Sequence, residues 1–216
     1  MRTILKGLEP ASLARHRQAY PEDYDGYADK DALRNSLINE QQGICCYCMG
    51  RIRNEYKNMK VEHWQCQERF PAGRLRYNNL LGACHGNEGQ PPHLQHCDTS
   101  KGNRDLLWNP AEPAHQIEAR IRYEGDGTIR SYNTAFDTEL NTILNLNLPV
   151  LKRNRKDTLD GIVEWWRLEK ARLRGPVPRT RFAREMARLL AGNGELRPFC
   201  QVAVWWIEDR LERMTA

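Results

Sequence analysis

Cys45-Cys46-Tyr47-Cys48, then Glu62-His63, then Cys84 and finally Cys97-Asp98 form the stretch that decides the fold. A Cys-x-x-Cys pair places two thiolates on one tight loop, and two more cysteines downstream supply the remaining corners of a tetrahedron. A set of this kind binds zinc structurally and pins loops where apolar core is scarce. Cys45, Cys48, Cys84 and Cys97 are the expected ligands. Cys46 could replace Cys45, and His85 or His96 stands beside a proposed cysteine. Between the two halves of the clamp lie the Glu62-His63 pair, Asn78-Asn79 and a second carboxylate, Asp98.

Outward from this clamp the pattern is mixed. Pro10 sits where a first helical turn begins, so a short helix is expected to about residue 18. Leu33, Leu37 and Ile38 have helical spacing within 29–42, and Gly43 suits a helix stop. The knuckle is expected to lead into a strand at 49–53, paired with 60–64, which ends at His63. A short helix should begin at 77–80, 86–95 reads as an extended loop with Pro91 and Pro92, and 98–106 reads as a closing helix. Alternation at 117–123 predicts a strand, Gly125-Asp126-Gly127 a turn, and 128–132 the return strand. From Thr134 the character is helical, interrupted at Pro149, and the last helices are expected at 180–191 and 198–213. Three regions follow: 1–44 as a helical lead, 45–109 as the core, and 110–216 as a hairpin with helices.

The chain has 216 residues, with 33 Lys and Arg against 28 Asp and Glu, a net charge of +5 that is compatible with a polyanionic partner without requiring one. Arg172, Arg174, Arg179, Arg181, Arg184 and Arg188 crowd one stretch, most simply a solvated face. The opening Met1-Arg2-Thr3-Ile4-Leu5-Lys6 lacks the apolar run of a secretory leader, and no segment is long and apolar enough for a membrane helix. A cytoplasmic setting is expected, where paired cysteines favour metal over disulfides. Cys200 lies in an apolar run and reads as core. Two tryptophan pairs, Trp165-Trp166 and Trp205-Trp206, read chiefly as core, with one of each pair left to face a partner protein.

The order of these motifs resembles the HNH nuclease superfamily, built on a ββα-metal core. It is most similar to the branch found beside ATPases in bacterial anti-phage systems, the Septu-type (PtuB-like) and retron-associated HNH proteins. The match is carried by Cys45-x-x-Cys48, Glu62-His63, Tyr77-x-Asn79-Leu80, Cys84-His85-Gly86-Asn87-Glu88-Gly89 and His96-Cys97-Asp98-x-x-Lys101-Gly102-Asn103. It covers residues 1–110. The resemblance implies an α+β fold: a zinc-stapled ββα-metal core, N-terminal helices and a mainly helical C-terminal region.

The resemblance also implies roles. His63 is the expected general base, since imidazole accepts a proton near neutral pH. Glu62 and Asp98 are the expected ligands of a catalytic Mg²⁺ or Mn²⁺, which oxygen donors suit. Glu62 and His63 are consecutive, so on a regular strand they point to opposite faces unless the strand ends there. Asn79 is expected to hold the imidazole in place, with Asn78 the adjacent alternative. Many HNH nucleases carry Asn or His where this chain has Asp98. Lys101 and Asn103 are expected to contact phosphates, or to form a solvated helix end. The implied reaction is hydrolysis of nucleic acid, DNA above all, leaving 5′-phosphate and 3′-hydroxyl ends. The resemblance implies an SMC-like ATPase (PtuA-like) as partner; this chain has no phosphate-binding glycine loop of its own, so any ATP dependence would come from another chain. The rival expectation is a zinc-stabilised module that binds nucleic acid, or serves as an interaction subunit, without catalysis.

Overall fold

A computed structural model describes residues 1–55 and 57–214. The protein is α+β, with eight α-helices and two small antiparallel sheets among the described residues. Helix α1 (Ala11–Ala19) follows Pro10, and α2 (Lys30–Glu40) is capped by Asp29, whose carboxylate accepts from the Ala32 amide. The chain leaves α2 through Gln42 and Gly43, both at positive φ, and the Gly43 amide closes on the Ile38 carbonyl.

The knuckle follows, and here the expected strand at 49–53 is absent. Met49 has a positive φ, and only an isolated bridge joins Ile44 to Arg51. The tight reversal that brings Cys45 and Cys48 together leaves no extended backbone to pair. Strand β1 (Met59–His63) pairs instead with β2 (Leu80–Cys84), with His63 opposite Leu80 and Met59 opposite Cys84. The helix expected at 77–80 is a single 3-10 turn, Tyr77–Asn79. It feeds directly into the apolar Leu80-Leu81-Gly82-Ala83 run, which is buried as a short strand. Helix α3 (Cys97–Lys101) packs on β2 and ends earlier than expected, at Gly102 with positive φ.

Gln41 fastens α2 to this hairpin. Its side chain donates to the Gly82 and Ile44 carbonyls and accepts from the Gly82 amide, at 2.7, 2.9 and 2.6 Å. A Cβ on Gly82 would sit 2.9 Å from the Ile52 side chain, so a larger residue here requires Ile52 to shift.

Residues 117–123 divide into two elements. Helix α4 (Ile117–Arg120) is one turn, entered through Gln116 in the left-handed region, and only β3 (Ile121–Tyr123) pairs with β4 (Ile129–Ser131). Ile117 and Ile121 are four apart, so the alternation fits a helical turn as well as a strand. Helix α5 (Thr134–Thr138) runs into a π-helical turn, and Pro149 occupies the first turn of α6 (Pro149–Leu173). Helices α7 (Arg179–Leu190) and α8 (Cys200–Arg213) complete the chain and pack on each other, with α8 also against α6.

The four cysteines of the clamp share one apolar cluster with β3, β4 and the C-terminal helices, and Cys200 is part of it. A smaller cluster of Leu13, Tyr27, Leu33, Leu37, Leu75, Tyr77 and Leu80 seats α1 and α2 on the hairpin. Buried Arg155 ties α6 to the β3–β4 turn by donating to the Gly127, Leu146 and Asn147 oxygens, at 2.6, 2.8 and 3.0 Å. Each paired tryptophan finds an aromatic partner within the chain: Trp165 with Phe182, Trp166 with Trp206, and Trp205 with Tyr123. No helix among the described residues is long and apolar enough to cross a membrane.

Candidate metal centre and polar cleft

Cys45, Cys48, Cys84 and Cys97 converge, with one sulfur from each within 4.8 Å of the others. The Cys45–Cys97 and Cys48–Cys84 sulfurs are 3.9 and 3.7 Å apart. Thiolates at ~2.3 Å from a tetrahedral zinc stand about 3.8 Å from one another. The four sulfurs therefore have the chemistry and the spacing to hold a metal such as zinc. Two backbone amides point at sulfur, Gly50 N to Cys48 and Cys84 N to Cys45, each at 3.3 Å. Burial raises the Cys45 thiol, but S–H donors from the surrounding cysteines outweigh it and hold Cys45 well below its ordinary value.

The geometry chooses among the alternative ligands. Cys46 is outside the set, and its amide donates to the Gly82 carbonyl. His85 turns away to Glu88, 2.8 Å distant. His96 lies beside the cluster, with Nδ1 3.1 Å from the Cys97 sulfur. Gly86, at positive φ, is where the long loop between Cys84 and Cys97 folds back; a Cβ there would meet the His96 carbonyl at 2.2 Å.

A polar cleft of about 280 Å³ opens beside the clamp, lined by Lys60, Val61, Glu62 and His63 together with Asp98 and Lys101. Four consecutive residues of one strand line it, so the cleft runs along the free edge of β1 rather than over either face. That placement resolves the opposite facing of Glu62 and His63, because both faces meet the edge.

Glu62 is buried. Its Oε1 accepts from the Tyr47 hydroxyl at 2.7 Å and pairs with Lys101 Nζ at 2.8 Å. Asp98 lines the same cleft. Burial first, and Asp98 second, push the Glu62 carboxyl well above the ordinary carboxylate range. Lys60 approaches Asp98 at 3.6 Å while donating to Thr99 at 3.1 Å and pairing with Glu88 at 2.7 Å.

His63 Nε2 lies 2.9 Å from the Arg74 carbonyl oxygen and so carries the proton, leaving Nδ1 with its lone pair. Tyr24 stands edge-on to the ring, centroids 4.6 Å apart. Burial lowers the imidazole to about 4, so it is neutral at pH 7. Asn79 does not line the cleft. Its Oδ1 accepts from the Gln65 amide at 2.7 Å, and its Nδ2 donates to the Gln65 and Gly73 carbonyls at 3.0 and 3.1 Å. It thereby fixes the loop carrying Arg74, whose carbonyl orients His63. Asn78 is exposed on the wall of a neighbouring depression.

Lys101 and Asn103, the two expected phosphate contacts, both line the cleft but in different settings. Lys101 is not a solvated helix end: its ammonium is 1% exposed, bonded to Glu62 and to the His63 carbonyl at 2.9 Å. The reason is local, since α3 crosses β2 with its last residue pointing at the end of β1. Asn103 lies beyond α3, is exposed, and donates to Glu68. Sequence reasoning missed Tyr47, Lys60 and the Arg74 carbonyl. Tyr47 is concealed inside the cysteine knuckle, and a backbone carbonyl leaves no trace in sequence. No protein-family model matches the chain, and a search of curated proteins finds no similar one.

Proposed function

We propose that the protein is a metal-dependent HNH endonuclease that hydrolyses phosphodiester bonds of nucleic acid, DNA above all. The observation that carries this reading is the convergence of Glu62, His63 and Asp98 on one cleft, with His63 held as the Nε2–H tautomer by Arg74. A neutral imidazole with a free Nδ1 can take a proton from a water molecule that attacks phosphorus. Asn79 keeps the base aimed through the 65–73 loop. The two carboxylates are oxygen donors of the type that hold Mg²⁺ or Mn²⁺. Such an ion would supply charge stabilisation for the phosphate and the leaving oxygen. By resemblance to the Septu-type and retron-associated HNH proteins, the enzyme would act as the nuclease effector of an anti-phage defence system, in the cytoplasm, with an SMC-like ATPase as partner. The C-terminal helices offer surface for that partner.

One observation favours the rival reading, a zinc-stabilised binding module without catalysis: Glu62 is already paired with Lys101, and Asp98 with Lys60. End-group analysis separates the two. Incubation of zinc-loaded protein with labelled duplex and Mn²⁺ should yield fragments with 5′-phosphate and 3′-hydroxyl ends, and chelation of Mn²⁺ should stop their formation. Intact duplex after incubation with and without the ATPase would favour the binding module.

A further inference from the structure

The Lys101 ammonium occupies an unusual place. It is 1% exposed, and the carboxylate it pairs with, Glu62, is equally buried. Every polar contact it makes is with the machinery of the cleft: Glu62 Oε1 at 2.8 Å and the His63 carbonyl oxygen at 2.9 Å. Tyr47 donates to that same Glu62 oxygen at 2.7 Å, so both lone pairs of Oε1 are engaged. Asp98 lines the same cleft as Glu62. Two carboxylates lining one small cleft repel unless a cation or a proton lies with them. Lys101 is the buried cation, while Lys60 reaches Asp98 only from the cleft rim, at 3.6 Å with its own side chain 25% exposed.

We propose that Lys101 is the resident counter-ion of the Glu62–Asp98 pair, a positioning residue that preforms the two carboxylates and at the same time weakens their hold on a divalent ion. This rests on the reading of Glu62 and Asp98 as metal ligands. Its charge acts in two directions. The bond to Glu62 Oε1 aligns that carboxyl, and the bond to the His63 carbonyl ties the end of β1, and with it the base, to α3. Repulsion opposes a second cation a few ångströms away, in surroundings where charges are poorly screened. A weakly held ion follows. The nuclease would then be silent at low free metal and would respond to the extra phosphate oxygens that a bound substrate brings to the ion.

The test is Mn²⁺ binding to zinc-loaded, substrate-free protein, by calorimetry, for wild type, Lys101→Met and Lys101→Arg. Met keeps an unbranched side chain, one atom shorter, and removes the charge; Arg keeps the charge. Lys101→Met should bind Mn²⁺ at least about 10-fold more tightly, and Lys101→Arg within a few-fold of wild type, since the term at stake is charge repulsion. A purely structural lysine would not tighten metal binding when removed. Equal or weaker binding by a zinc-retaining Lys101→Met, beside measurable binding by wild type, overturns this inference and leaves the metal-site reading intact. Absence of Mn²⁺ binding in wild type and both variants overturns both. Should Lys101→Met fail to hold zinc, the wild type decides by itself. Nitrogen-detected NMR of its lysine ammonium groups should reveal one solvent-protected signal, assigned with Lys101→Arg, that shifts when Mg²⁺ saturates the site. A protected signal that does not move overturns the proposal.

Discussion

The Arg74 carbonyl oxygen lies 2.9 Å from His63 Nε2, and this contact decides which imidazole nitrogen can act as a base. A carbonyl only accepts, so Nε2 donates and Nδ1 keeps its lone pair. Arg74 is in turn held in place because Asn79 bonds the Gln65 and Gly73 backbones on either side of the same loop. His63 and its support come from three separate segments of the chain.

Asn79 therefore couples stability to geometry. Asn79→Ala removes three hydrogen bonds in a buried setting and should cost about 1–3 kcal/mol. Asn79→Asp should fare no better, because a carboxylate cannot donate to the two carbonyls. Denaturant melts of both variants check this, and zinc content should stay at the wild-type level.

The four-cysteine centre should matter more. Cys84→Ser or Cys97→Ser would leave three sulfurs to hold an ion, in a cluster continuous with the main core. Loss of zinc and a large fall in thermal stability are expected, as for structural zinc sites generally. Metal analysis of freshly purified wild type should find one tightly held zinc per chain. A folded, metal-free wild type would contradict the assignment.

Two glycines away from the cleft should behave oppositely. Gly127 has a positive φ, and a Cβ there would meet the Lys152 carbonyl at 2.0 Å, so Gly127→Ala should destabilise by ~2 kcal/mol or more. Gly161 lies within α6 with nothing in the path of a Cβ, so Gly161→Ala should stabilise by about 0.5–1 kcal/mol. Chemical denaturation of the pair measures both signs.

Much of this was legible in the sequence, and the failures have physical causes. The convergence of Cys45, Cys48, Cys84 and Cys97 followed from thiol spacing, and β1 ending at His63 followed from pattern. The partner of β1 was misread because 49–53 looks extended while the knuckle twists it out of register, whereas Leu80–Cys84 follows a helical-looking Tyr77-Asn78-Asn79. Lys101 was misread because composition places lysine in water, and only the crossing of α3 over the hairpin turns it inward. The one-turn helix Ile117–Arg120 was hidden because an i, i+4 isoleucine pair satisfies both periods.

His63 is the residue whose removal should cost activity alone. His63→Ala is expected to lower cleavage by at least ~10²-fold, the usual worth of a general base, with zinc retained. Cutting at the wild-type rate would mean that another group takes the proton.

The most direct measurement is a cleavage time course on plasmid and oligonucleotide duplex, run with Mg²⁺ or Mn²⁺, with and without the ATPase. Wild type and Asp98→Ala are compared, and binding is recorded in parallel. If Asp98 helps hold the catalytic ion, wild type cuts, while Asp98→Ala does not cut and binds as well or better, one negative charge near the phosphates being gone. Clear binding by both proteins with no cleavage in any combination would contradict the nuclease and leave a zinc-stabilised binding module.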